Sequence, residues 1–162
     1  MIKQYAKAFS KEPYTAIQTD GCLLFVLLKA AENITGKEFT EKELKRIWHY
    51  GIPDYMEDHR HPHKDRCFIL GGGHVQLIRI GLYILGVRNA SVKYKYRYDL
   101  DKEEYIIGNK NTLSVCNFFF AKCKLPGYSH FYESNKEGDL VWNPGNSFSV
   151  DLLSLRGIQI TI

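Results

Sequence analysis

The sequence has no apolar run approaching the roughly 18 residues that a membrane-spanning helix requires. Its opening residues, MIKQYAKAFSKEPY, hold no apolar stretch of the kind that marks a secretory signal. Both absences make the cytoplasm the expected setting. There is no CxxC pair: the 4 cysteines, Cys22, Cys67, Cys116 and Cys123, are widely spaced. In a chain of 162 residues this argues against a disulfide framework and for reduced thiols. Repeats, low-complexity tracts and linker-like stretches are also missing, so one domain is expected. Excess charge is small, +4 with a pI near 8.8, which permits weak attraction to anionic partners without demanding it.

Apolar residues, by contrast, are plentiful at 44%, with 14% aromatic. A chain of this length buries roughly 70% of its unfolded surface, so it needs neither metal nor disulfide to fold, and no cofactor is expected. Helix signals dominate the first half. Residues 22–33, CLLFVLLKAAEN, are apolar almost all round, as in a helix at the centre of a domain, with Thr19 or Asp20 as its N-cap. Thr40 and Glu43 make a capping box for TEKELKRIWHY, whose apolar face is Leu44, Ile47 and Trp48. A polar loop, GIPDYMEDHRHPHKDR, follows, and HVQLIRIGLYIL then has helical spacing and ends at Gly86, a C-cap. In the second half, segments 91–98, 113–121, 128–134, 139–143 and 157–162 are strand-like. Helices first and strands afterwards predict an α+β fold with an antiparallel sheet.

The chemistry centres on Cys22 in QTDGCLL. A cysteine is most often a small buried hydrophobe. At the first turn of a helix, however, the dipole stabilises a thiolate. Gln18 upstream offers an amide donor for an oxyanion. A nucleophilic thiol needs a base, and the base needs an orienting group. His130, in GYSHFYES, lies within a strand. A hairpin with Lys136 and Glu137 at its tip sets His130 opposite Asn143 and Ser134 opposite Asp139. Opposed Cβ atoms lie about 5 Å apart, so the Asn143 amide can fix the imidazole tautomer. Asp139 falls roughly 13 Å along the strand from Asn143, too far to serve His130. The bland reading of Asn143 is a loop residue ahead of Pro144.

Together these residues resemble the papain-like cysteine peptidase superfamily: a DGC turn opening a central apolar helix, His-Phe on a late strand, then Asn-Pro-Gly. The branch most similar is that of the bacteriocin-leader-processing peptidases and their phage and bacterial relatives. The resemblance runs in order from residues 18–24 to 130–146. It implies one papain-like domain over 1–162, with N-terminal helices, including a buried central one, packed on the C-terminal sheet. It also implies Cys22 as nucleophile, His130 as general base and acid, Asn143 as orienter and Gln18 in the oxyanion hole. The family places this glutamine six residues before the cysteine and a small residue after it; here the gap is four and Leu23 follows. The implied activity is hydrolysis of an amide bond in a peptide or protein through a thioester. The alternative is a catalytically silent papain-like domain used for binding.

Three other features have ordinary explanations. His59, His61, His63 and Cys67 match no zinc-site spacing, so no metal is expected. Lys93, Lys95 and Arg97 alternate with Tyr94, Tyr96 and Tyr98, which puts the tyrosines on one face and the cations on the other, as in a half-buried strand; nucleic acid is therefore not an expected partner. Gly71-Gly72-Gly73 lacks the Lys-Ser/Thr of a phosphate loop and reads as a hinge.

Overall fold

The structure, a computed structural model, describes residues 1, 3, 4, 6–12, 14–48 and 73–162. The chain divides into two compact units, Met1–Arg88 and Asn89–Ile162.

The described residues of the first unit form helices and turns. A 3₁₀ turn, Lys7–Phe9, precedes α1 (Thr15–Asp20) and α2 (Cys22–Thr35); α3 covers residues 41–48, and α4 is Gly73–Ile84. α1 and α2 are separated by Gly21 alone. Thr19 and Asp20, expected to cap α2, are instead the last residues of α1, and Gly21 is the N-cap with no side-chain bond. The Gly21 N–H donates to the Ile17 carbonyl at 2.9 Å. A Cβ at Gly21 would collide with that same oxygen, so the junction requires glycine. Leu23 through Leu28, Ala30 and Ala31 are all buried, as an all-apolar helix demands. Glu32 is buried among them, and its carboxylate accepts from the Phe39 N–H at 2.8 Å and from Lys29 at 3.2 Å. Gly36, at φ 68°, closes α2. The Thr40–Glu43 capping box forms, with bonds of 2.8 and 3.3 Å. α4 approaches α2 at Gly81, where a Cβ would stand 3.0–3.2 Å from Leu28, Phe39 and Ala31. Gly86, at φ 97°, ends the helical turn after α4, and the Val87 N–H bonds the Leu82 carbonyl at 2.8 Å, a Schellman closure.

The second unit is a six-stranded antiparallel sheet. Its strands are β1 (Ser91–Asp99), β2 (Glu104–Ile107), β3 (Phe118–Leu125), β4 (Tyr128–Ser134), β5 (Leu140–Trp142) and β6 (Leu152–Thr161), in the order β2-β1-β6-β3-β4-β5. The chain is thus α+β, as its pattern predicts. Segment 113–121 divides differently from expectation: Lys110–Val115 is a 3₁₀ helix, and the strand begins at Phe118. The reason is local. Asn109 and Thr112 cap each other reciprocally and draw the backbone into a helical turn. β6 starts five residues before its expected position, with Gly157 in its interior. A Cβ there would come 2.7 Å from the Cys116 sulfur, so the glycine marks a close approach rather than a strand end. β1 corrects a third expectation. A bulge between Tyr94 and Tyr96 puts Tyr94 opposite Ile158 and Tyr96 opposite Gly157, dividing the tyrosines between the two faces. Tyr94 stacks on Phe120, whereas Tyr96 joins the cluster of Ala121, Cys123, Tyr132 and Leu155 on the other side.

Candidate active site

Cys22 is the first residue of α2 and is half-buried. The greasy run behind it anchors the helix, and the first-turn N–H dipoles point toward its end. Gln18 lies one turn earlier, in α1. Its Nε2 donates to the Ala6 carbonyl at 3.3 Å, and its backbone carbonyl accepts from the Gln4 side chain at 2.8 Å. The amide carries two N–H groups, so one is committed to Ala6 and the chemistry of the side chain leaves a second.

In the sheet unit the structure brings His130 and Asn143 together: His130 Nε2 and Asn143 Oδ1 are 2.7 Å apart. The route differs from the predicted one. Gly138 takes φ 93°, so the β4–β5 turn has three residues, Lys136 to Gly138, between Asn135 and Asp139. The ladder therefore pairs Ser134 with Leu140 and, past an irregularity, Glu133 with Trp142. Asn143 is not a cross-strand partner. It sits just beyond β5, in the Asn-Pro-Gly turn, and its side chain reaches His130 from there. Asp139 is committed to the hairpin turn, where its carboxylate accepts from Asn135 at 3.0 Å.

The turn also determines the chemistry of the pair. Asn143 Oδ1 accepts the Gly145 N–H at 3.0 Å, and Nδ2 donates to the Ser147 carbonyl at 3.1 Å. Two backbone groups thus decide which end of the amide is oxygen. An oxygen can only accept, so Nε2 of His130 must be the protonated nitrogen. Nδ1 then carries the lone pair and is the nitrogen that can accept a proton. Burial pushes the imidazole pKa down from its ordinary value, with the Asn143 bond acting in the opposite direction. At neutral pH the ring by itself is an uncharged acceptor.

Sequence reasoning missed Gly145 and Ser147 as the groups that orient Asn143. The Asn-Pro-Gly motif signals the first, since such turns close on the asparagine side chain; nothing in the sequence signals the second. It also missed Cys123, which the β3–β4 ladder sets directly opposite His130. That thiol is fully buried, and burial pushes its pKa up. Burial likewise raises the Cys116 thiol, which donates to the Thr112 carbonyl. Neither is an activated thiol, despite one lying next to the imidazole. His59, His61, His63, Cys67, Gly71 and Gly72 lie outside the described residues. Among the described residues no helix is long and apolar enough to cross a membrane. No protein-family model, no curated protein and no solved structure matches the chain.

Proposed function

We propose that the chain is a papain-like cysteine hydrolase that cleaves an amide bond in a peptide or protein. The observation that carries this reading is the His130–Asn143 bond, with the Asn143 amide held by two backbone partners. An asparagine locked to present oxygen to a histidine leaves a defined lone pair at Nδ1, which is what general-base catalysis needs. Cys22, at a helix start, is the thiol whose setting favours the thiolate.

In the proposed reaction the Cys22 sulfur gives its proton to His130 Nδ1. The thiolate adds to the amide carbonyl carbon, and the carbonyl electrons move onto oxygen. The Cys22 backbone N–H and the second N–H of Gln18 donate to that oxyanion. The tetrahedral species collapses, the C–N bond breaks, and Nδ1–H protonates the leaving nitrogen. Water then loses a proton to Nδ1 and attacks the thioester, and the thiolate departs with the proton returned. Asn143 keeps Nε2 protonated and the ring oriented throughout.

The test is alkylation by iodoacetamide at neutral pH. Cys22 is expected to react far faster than Cys116 or Cys123, and His130→Ala to slow it by about a hundredfold, the low end of what a positioned base supplies. Equal, slow labelling of all the thiols would discard the hydrolase reading in favour of a catalytically silent binding domain.

A further inference from the structure

The sheet face opposite to His130 carries a group of cations that the proposed hydrolysis does not use. On this face Arg97 of β1 stands directly opposite Arg156 of β6, and Phe120 of β3 lies on the other side of Arg156. One step along the strands, Ser154 is flanked by Asp99 on one side and Lys122 on the other. Three cationic side chains from three adjacent strands therefore surround Ser154.

Like charges directly opposed across a sheet repel each other. Here Arg156 is also withdrawn from water, and Arg97 partly so. Arg156 is only 6% exposed; its guanidinium lies 4.9 Å from the Phe131 ring centre and 5.6 Å from that of Phe120, and its Nε donates to Ser154 at 3.3 Å. Lys122 is half-buried, its Nζ 5.8 Å from the Phe131 ring centre. Burial pushes both pKa values down, and for Lys122 the two arginines push in the same direction. Among the described residues, Asp99 is the only carboxylate within 4 Å of any of the three, at 3.8 Å from Arg97. Asp101 acts on Lys122 from an exposed turn, and Glu133 is separated from Arg156 by Phe120. The phenol of Tyr94, in reach of Arg156, supplies no charge, since burial raises its pKa. Arg97 Nε is buried and has no hydrogen-bond partner among the described residues.

We propose that Arg97, Lys122 and Arg156, grouped around Ser154 on this face, form a binding site for a phosphate group. After Asp99 offsets one of the three cations, the group matches a dianion in charge. The unpartnered Arg97 donor and the Lys122 ammonium supply the hydrogen bonds, and the guanidinium fork suits tetrahedral oxygens. Such a site is independent of the thiol chemistry.

The experiment is calorimetric titration of the full chain with inorganic phosphate, and separately with a phosphoserine peptide, against chloride at matched ionic strength. Saturable binding is expected for at least one of the two, whichever binds tighter naming the source of the phosphate. Arg97→Gln and Lys122→Gln, both at partly exposed side chains and checked for folding by circular dichroism, are each expected to weaken it about tenfold, as loss of a charged hydrogen bond does. Cys22→Ala is expected to bind as the unaltered chain does, which separates this site from the hydrolase reading. Absence of saturation with both ligands, or equal binding by folded Arg97→Gln and Lys122→Gln, would overturn the proposal.

Discussion

His130 is held by two opposing influences: burial pushes its pKa down and the Asn143 hydrogen bond pushes it up. Burial is the larger, so the folded chain binds this proton less readily than the unfolded chain does. The sign follows from linkage. The stabilising contribution is complete above the unfolded value, near 6.5, and is lost as the pH falls from there to the folded value. Urea midpoints between pH 8 and pH 5 are therefore expected to fall more steeply for the unaltered chain than for His130→Gln; parallel curves would contradict it. Asn143→Ala removes the influence that raises the pKa. In a Cys22→Ala background, an NMR titration of the ring is expected to move to lower pH still. Under the proposed hydrolase reading, in which His130 deprotonates Cys22, loss of a hydrogen bond worth about 1 kcal/mol predicts Cys22 labelling about fivefold slower in the thiol-containing chain.

At the scale of elements, the junction of α1 with α2 and the β4–β5 hairpin are the two places where local sequence signals and structure part company. QTDG has turn residues, yet Thr19 and Asp20 are helical, because Gly21 lets a second helix start without leaving the first. Gly21→Ala drives a methyl group into the Ile17 carbonyl. Such overpacking is expected to cost about 1–3 kcal/mol, read as a lower urea midpoint with an unchanged slope. In the hairpin, the expected two-residue turn would have placed Asn143 across from His130. A positive φ at Gly138 added a residue to the turn and shifted the ladder, which propensity alone cannot foresee because Gly138 fits either turn. The contact nonetheless forms, since Asn143 is drawn out of the ladder into the Asn-Pro-Gly turn. β2, a short exposed edge strand, and the early start of β6 were not legible either. Both depend on a neighbouring strand to supply hydrogen-bond partners, and pairing of β1 with β6 joins segments far apart in the chain.

Across the whole molecule, the described thiols divide by burial: Cys22 and Cys116 are half-buried, Cys123 buried. Cys123 is enclosed completely, within a cluster that includes Ala121, Tyr132 and Leu155. Its modification by a thiol reagent is therefore expected to require global unfolding, and its rate in rising urea to track the loss of circular dichroism. Labelling well before that transition would show that the sheet opens locally. The sequence by itself determined the order of helices before strands, the apolar α2, the caps at Thr40 and Gly86, and the residue types on which the proposed thiol chemistry rests. These are short-range properties, set by propensity, periodicity and capping among near neighbours. Only the tertiary structure decided which nitrogen of His130 carries the proton, because that follows from the carbonyl of Ser147 and the N–H of Gly145 acting through Asn143. Only it decided that Tyr94 and Tyr96 face opposite ways and that Arg97 and Arg156 meet on one face. A bulge and a strand register belong to pairs of strands, and no single segment encodes them.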